Sequence, residues 1–174
     1  MRKLIAVLAL LAATLWSAPP ANATTYGWRW NQVVGVYDGT SAGNTFNIPQ
    51  SVSQWGSISA GLQMRMVSDP TQANIVVREV DTMTNCSASA IGCATGPSVA
   101  GGVAYGVCNV DLARYIDHQG YAVEVALHEL GHCVGLDHSP DGVRSVMRVY
   151  GTTTTSYFTK PQPYDRRDIR TLYR

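Results

Sequence analysis

The chain has 174 residues, with 13 Lys or Arg and 12 Asp or Glu, which gives a net charge of +1 when histidine is neutral. Charges this balanced, without a basic run, offer no electrostatic footprint for nucleic acid or an anionic membrane. The length suits one domain with its own core and is too short for two ordinary domains. We therefore expect a monomer without a separate substrate-binding module.

The first 23 residues have the pattern of a secretory signal. Arg2 and Lys3 precede an apolar run, and the small residues at 21–23 form a candidate cleavage site. The apolar run is short for a bilayer span. We predict a signal peptide over residues 1–23 and a secreted mature domain over residues 24–174, which has no membrane association once the signal is removed. An uncleaved membrane anchor is the alternative.

The first elements of the mature chain are a strand and a helix. Residues 26–37 are β-prone, with partial alternation of apolar residues, and predict the first strand. A turn-rich loop follows. Val52, Trp55 and Ile58 then recur at near-helical spacing after Pro49 and predict a helix that packs on the sheet.

Three more strands and a long helix are predicted next. Residues 62–67 and 74–80 are strand-like, and the second segment is nearly continuous in apolar residues, which suits a buried strand. Residues 108–115 predict the next strand. Residues 121–134 are apolar at nearly every position, as expected of a helix buried in a domain core.

The four cysteines lie in the mature region, and an even number in an exported chain favours two disulfides. We prefer the pairs Cys86–Cys93 and Cys108–Cys133. The first pair would close a segment rich in Ser, Ala and Gly, and the second would tie a strand to the long helix. Sequence alone allows three connectivities.

Three histidines and a glutamate occur at the spacing that a hydrolytic zinc site needs. His128 and His132 are four residues apart and share one face of a helix, so both can bind one metal ion. Glu129 lies beside that metal, where it can deprotonate a zinc-activated water. Gly135 permits the turn that returns His138 to the metal. Three protein ligands leave one position open, which is typical of catalytic zinc.

The pattern H-E-x-x-H-x-x-G-x-x-H, followed by a methionine turn, is the mark of the metzincin metallopeptidases, and residues 128–138 carry it. Residues 145–147 resemble that turn, whose methionine, here Met147, underlies the zinc ligands. Residues 129–139 are most similar to the matrixin branch, which contains the matrix metalloproteinases. Residues 168–173 resemble the end of the matrixin catalytic domain, where a terminal helix packs behind the active site.

The resemblance implies an α+β, zincin-like domain. Its elements are a twisted, mostly parallel sheet of about five strands, an active-site helix, a backing helix and a C-terminal helix. Residues 99–105 resemble the edge strand that lies above the zinc and pairs with an extended peptide. Gly102, Val103 and Ala104 are therefore candidate substrate-binding residues, with a glycine-rich hairpin as the alternative. Tyr150, just past the methionine turn, is a further candidate; surface packing is its alternative.

The chain also departs from the family. Three of its four histidines belong to the motif, which leaves only His118, so the additional structural zinc of many matrixins cannot be carried over. Calcium is possible but unsupported, because the aspartates are scattered and no EF-hand pattern is present. The implied cofactor is therefore one catalytic zinc ion.

The sequence predicts a secreted zinc endopeptidase that hydrolyses peptide bonds of extended polypeptides. In this hypothesis Glu129 accepts a proton from the zinc-activated water and passes it to the leaving amine. Two alternatives remain open: a zinc-binding interaction module without peptidase activity, and a hydrolase of peptidoglycan crosslinks. A third is a cysteine-stapled interaction domain in which the histidines are incidental.

Overall fold

The computed structural model describes residues 24–41, 45–149 and 156–174, which form two sheets and three α-helices. The strands are β1 (Val34–Gly39), β2 (Met64–Val67), β3 (Ile75–Val80), β4 (Gly92–Thr95), β5 (Ser98–Ala100), β6 (Val103–Tyr105) and β7 (Cys108–Ala113). The helices are α1 (Ile48–Gly56), α2 (Gln119–Cys133) and α3 (Pro163–Leu172).

The main sheet has five strands in the order β2-β1-β3-β7-β4. All neighbours are parallel except β4, which runs antiparallel to β7. Ile75 and Val77, on one face of the central strand β3, are fully buried, whereas Val76 on the opposite face is partly exposed and Arg78 is exposed. The strand is therefore less evenly buried than its run of apolar residues predicts. The predicted α+β architecture with a mostly parallel sheet is confirmed.

The three predicted helices are also present. In α2 almost every residue is buried, and α1 packs against it: the Trp55 indole donates a hydrogen bond to the Leu127 carbonyl at 3.1 Å. α3 forms the C-terminal helix, and its Ile169 is fully buried. Within the described ranges, no helix is long and apolar enough to cross a membrane.

The predicted first strand is wrong in its first half, because β1 begins only at Val34. Residues 24–30, which we call the N-terminal strip, instead lie along the turn that follows α2. The Tyr26 amide donates to the Gly135 carbonyl at 2.9 Å, and the Trp30 indole donates to the Cys133 carbonyl at 2.8 Å. Tyr26 and Trp30, two of the residues that suggested a strand of the sheet, therefore contact the C-terminal end of α2 and the turn after it.

The predicted edge position of residues 99–105 is also wrong. These residues form the separate hairpin β5–β6, turned by Gly101 and Gly102 at φ values of 56° and 76°. Positive φ values are readily adopted by glycine, so this pair favours a tight turn over a continuous strand. One edge of the main sheet is occupied by β4, a four-residue segment within residues 85–98. These residues are the segment rich in Ser, Ala and Gly around Cys86 and Cys93, called the cysteine loop below.

Both preferred disulfides are formed, Cys86–Cys93 and Cys108–Cys133. The first anchors the start of β4 to the preceding loop. The second joins the first residue of β7 to the last residue of α2, across a sequence separation of 25 residues. The covalent link therefore fixes the helix that carries the zinc motif to the sheet.

Replacing both Cys108 and Cys133 by alanine is expected to lower the free energy of unfolding by about 3 kcal/mol, because a long loop is no longer closed in the unfolded chain. The matched change at Cys86 and Cys93, whose separation is 7 residues, should cost about 2 kcal/mol. Urea unfolding of both double variants measures the difference. A larger loss from the short loop than from the long one would contradict this explanation.

Candidate metal centre

Three imidazoles converge at the C-terminal end of α2. His128 and His132 project from consecutive turns of the helix, and His138 lies on the segment that follows it. The Nε2 atom of His128 is 3.0 Å from that of His132 and 3.3 Å from that of His138. Nitrogens bound tetrahedrally to one zinc at 2.0–2.1 Å are about 3.3 Å apart. The three histidines therefore fit a single zinc ion.

Main-chain carbonyls set the tautomers of the two helical histidines. His128 Nδ1 lies 2.8 Å from the Val146 carbonyl, and His132 Nδ1 lies 2.9 Å from the Leu136 carbonyl. A carbonyl oxygen can only accept, so each Nδ1 carries the proton and donates it. Each Nε2 consequently has a lone pair available for the metal, as in zinc sites whose ligands are held by outer hydrogen bonds.

Burial also keeps these imidazoles neutral. Desolvation, helped by the neighbouring His132, lowers the pKa of His128 to about 3. Desolvation likewise lowers the pKa of His132, against the hydrogen bond to the Leu136 carbonyl. Because a metal binds the deprotonated nitrogen, both rings are in the form that zinc requires at neutral pH.

Gly135 makes the turn between the helix and His138. Its φ is 95°, and a Cβ atom built there would lie 2.4 Å from the Trp28 carbonyl oxygen. Both the left-handed backbone and the close approach of the N-terminal strip require glycine. The turn sends the chain back towards the two helical histidines, as the sequence predicted.

Glu129 is buried beside the histidines and directly under β4. Its residue is 6% exposed, and desolvation raises the pKa of its carboxyl to about 8, against a hydrogen bond from the Ala94 amide. A Cβ atom at Gly92 would lie 2.6 Å from Glu129 Oε1 and 2.7 Å from Val125 Cγ1. The edge strand can therefore pass this closely over the carboxylate only because residue 92 has no side chain.

A cleft of about 740 Å³ opens over this group of residues. Its metal end contains the three histidines and Glu129. Its other walls come from the cysteine loop with β4, from the start of α2, and from the chain on either side of residues 150–155. The residues that line these walls include Ile91, Ala94, Tyr121, Val149 and Tyr157. The walls are largely apolar apart from the tyrosine hydroxyls, so the cleft can hold an apolar side chain next to the metal.

Met147 lies beneath the site. It is 2% exposed, and a Cβ atom at Gly131 would lie 2.3 Å from its sulfur, so Met147 packs against α2 at the residue before His132. The position agrees with that of a methionine turn. The predicted residue Tyr150 lies outside the described residues.

Asp165 of α3 holds the methionine turn and was missed by the sequence analysis. Its buried carboxylate accepts hydrogen bonds from the Ser145 hydroxyl, from the Val146 amide at 3.1 Å and from the Gln162 amide at 2.6 Å. The Val146 carbonyl in turn accepts from His128. The capping box at the start of α3 could have indicated the local hydrogen bond between Asp165 and the Gln162 amide. Nothing in the sequence indicates the hydrogen bonds of Asp165 with Ser145 and Val146.

The sequence analysis also missed a role for Glu124, because this residue lies in a helix whose other residues are mostly apolar. It is fully buried and forms an ion pair with Arg148 at 2.8 Å, one residue past the methionine. The Arg148 guanidinium lies 4.5 Å from the centre of the Phe158 ring. This pair therefore connects α2 to the chain on both sides of residues 150–155.

Gly102, Val103 and Ala104 do not line the cleft, which is bordered by β4 instead. Their hairpin contacts the N-terminal strip, where the Ala104 amide donates to the Arg29 carbonyl at 2.9 Å. Direct pairing of these residues with a substrate stays a prediction.

The chain matches one family model, that of the matrixins (Peptidase M10), over residues 45–174. The match covers well over half of the chain. It includes the zinc motif, the methionine turn and α3.

Proposed function

Because the chain belongs to the matrixin family of zinc metalloendopeptidases, we propose that it is a secreted endopeptidase in which Glu129 is the general base. The observation that carries this proposal is the convergence of three histidine Nε2 atoms next to a buried carboxylate, at the floor of an open cleft. The proposed metal ligands are His128, His132 and His138.

Zinc bound there would polarise the scissile carbonyl and lower the pKa of the attacking water from about 15.7 to about 7. Glu129 accepts the proton from that water and delivers it to the leaving amine. Burial raises the pKa of Glu129 to about 8 in the metal-free site. The positive charge of a bound zinc ion would act in the opposite direction and favour the carboxylate, the form that accepts a proton. Met147 fills the space under the ligands and holds their helix in place.

The substrate lies along β4 in this proposal. This strand is at the end of the sheet order, and no strand in the described ranges pairs with its outer side. An extended polypeptide can add there by main-chain hydrogen bonds, with one side chain entering the cleft beside Tyr121 and Tyr157. We expect a preference for a large apolar residue at that position.

Two features support secretion. Disulfides persist in oxidising compartments, and all four cysteines of the chain are paired. The Thr24 main-chain nitrogen lies 3.0 Å from Asp168 Oδ2, a carboxylate that is 3% exposed. Cleavage after Ala23 would convert this nitrogen to a charged amine and strengthen the contact.

Removing the metal is expected to abolish peptide cleavage, and adding one equivalent of zinc should restore it. The measurement is digestion of a diverse peptide library by the mature protein, as chelated and as reloaded, with the cut sites identified by mass spectrometry. The cut sites should share an apolar residue at one fixed position.

Two results would contradict the proposal. Stoichiometric zinc binding without cleavage of any peptide, in folded protein, would favour the interaction module. Cleavage of crosslinked peptidoglycan but not of linear peptides would favour the crosslink hydrolase. A parallel sample of His138→Ala, which lacks one ligand but keeps Glu129, controls for contaminating peptidases.

A further inference from the structure

The N-terminal strip lies against the part of the site that carries two of the three metal ligands. The Asp137 amide donates to the Thr24 carbonyl at 3.0 Å, and the Tyr26 amide donates to the Gly135 carbonyl at 2.9 Å. Thr25 and Leu136 form an antiparallel bridge between these bonds. The main chain of the strip therefore fixes the direction in which the Tyr26 side chain leaves it.

The Tyr26 hydroxyl ends at a metal ligand. Its oxygen is 3.2 Å from His132 Nδ1, whose proton is also donated to the Leu136 carbonyl. The proton on Nδ1 is thus shared between two acceptors, one from the main chain and one from Tyr26. Since Tyr26 accepts in this contact, its own O–H proton is available for a further partner.

The Asp137 carboxylate lies close to that hydroxyl. Burial raises the pKa of Tyr26, and the negative charge of Asp137 raises it further. The same carboxylate accepts from the His138 amide at 2.7 Å, so it is held next to the third ligand. The Tyr26 hydroxyl therefore lies near both the Asp137 carboxylate and the imidazole of His132.

Tyr26 is held in this position by stacking and not by burial. Its ring is parallel to that of Trp28, with centroids 6.3 Å apart and an interplanar angle of 10°, and the residue remains 48% exposed. The ring also lies 5.9 Å from that of His132 and lines the cleft, so the hydroxyl reaches the ligand nitrogen from the open side of the site.

Resting on the zinc peptidase proposed above, we infer that Tyr26 is a positioning residue of the metal centre, which connects the negative charge of Asp137 to His132 and strengthens zinc binding. A carboxylate that acts on a ligating histidine through hydrogen bonds orients the ring and makes its metal-binding nitrogen more basic. In this chain the connection runs through a residue of the N-terminal strip, so docking of the strip and metal affinity are coupled.

The test is the zinc dissociation constant of Tyr26→Phe, measured by competition with a chromophoric chelator. The variant keeps the ring and its stacking but loses the hydroxyl, and we expect about tenfold weaker binding, the lower end of the range for such outer partners. Tyr115→Phe is the matched control, since Tyr115 is 63% exposed and does not line the cleft. The control should bind zinc as the parent does.

A double-mutant cycle with Asp137→Asn separates this connection from a general structural role. If Tyr26 transmits the charge, Asp137→Asn weakens zinc binding more in the parent than in the Tyr26→Phe background, where the connection is already broken. Additive effects would overturn the inference even if Tyr26→Phe lowered the thermal stability of the metal-free protein.

The outcomes also distinguish this inference from the proposed function. A parent protein that binds zinc and cleaves peptides, with Tyr26→Phe equal to it in zinc affinity, would overturn the inference and leave the peptidase intact. A parent that binds no zinc would overturn both. The Co²⁺-substituted proteins give a readout independent of activity, because a changed field at His132 should shift the visible absorption bands of Tyr26→Phe.

Discussion

Glu129→Gln is expected to lower kcat/KM for peptide cleavage by about 10²- to 10⁴-fold, the usual contribution of general acid–base catalysis. Glutamine has nearly the same shape and can still accept the hydrogen bond from Ala94, but it cannot take a proton from water. The side chain of residue 129 lies close against Gly92, so the site has no room for a larger side chain there. Glutamine is no larger than glutamate and therefore fits. The loss should therefore appear in the chemical step and not in the fold.

Three measurements accompany this variant. Zinc content should equal that of the parent, because Glu129 lies outside the set of three ligand nitrogens. The unfolding midpoint should not fall, since a buried carboxyl is replaced by a neutral amide. Asp81→Asn, which neutralises a carboxylate that is 78% exposed, should leave the rate unchanged. Cleavage by Glu129→Gln at the rate of the parent, with equal zinc content, would show that the carboxylate is not the base.

Asp165→Ala is expected to lower the free energy of unfolding by about 3–5 kcal/mol. Hydrogen bonds to a charged group contribute about 1.5–3 kcal/mol each, and two of the donors that would lose their acceptor, the Ser145 hydroxyl and the Val146 amide, are buried. The loss extends to the metal centre, because Val146 also accepts the hydrogen bond that orients His128. Zinc affinity should fall together with stability.

Asp69→Ala is a matched control for that change. Asp69 also accepts from a main-chain amide and a hydroxyl, those of Thr71, at 2.8 and 2.7 Å, but both contacts are exposed. Loss of such an exposed cap should lower stability far less than loss of the buried contacts of Asp165. Urea unfolding with and without zinc compares the two variants. If they lost equal stability and kept equal zinc affinity, the proposed role of Asp165 in holding the methionine turn would be wrong.

The cluster of three histidines could be predicted from the sequence because its geometry is local. Residues four apart share a helix face whatever the rest of the fold does, and a glycine turn brings the third histidine back within a few residues. The long helix was predictable for a similar reason, since burial on all sides leaves a continuous apolar run in the sequence.

The missed parts of the site depend on distant contacts. Asp165 meets Val146 across 19 residues, and Glu124 meets Arg148 across 24 residues, spacings that no helical or strand period encodes. β4 has only four residues, with glycine and alanine among them, and becomes a strand because β7 pairs with it. Residues 99–105 have the stronger β pattern, but their glycine pair closes a hairpin before they can reach the sheet.

Glu129 limits how a peptide could add to β4 in the proposed mode of binding. Its carboxylate lies against this strand, because a Cβ atom at Gly92 would approach Glu129 Oε1 to 2.6 Å. A peptide on this edge would therefore place its main-chain hydrogen bonds on either side of the carboxylate. Because a shift by one residue turns every side chain to the opposite face, this constraint would determine which peptide bond lies over Glu129.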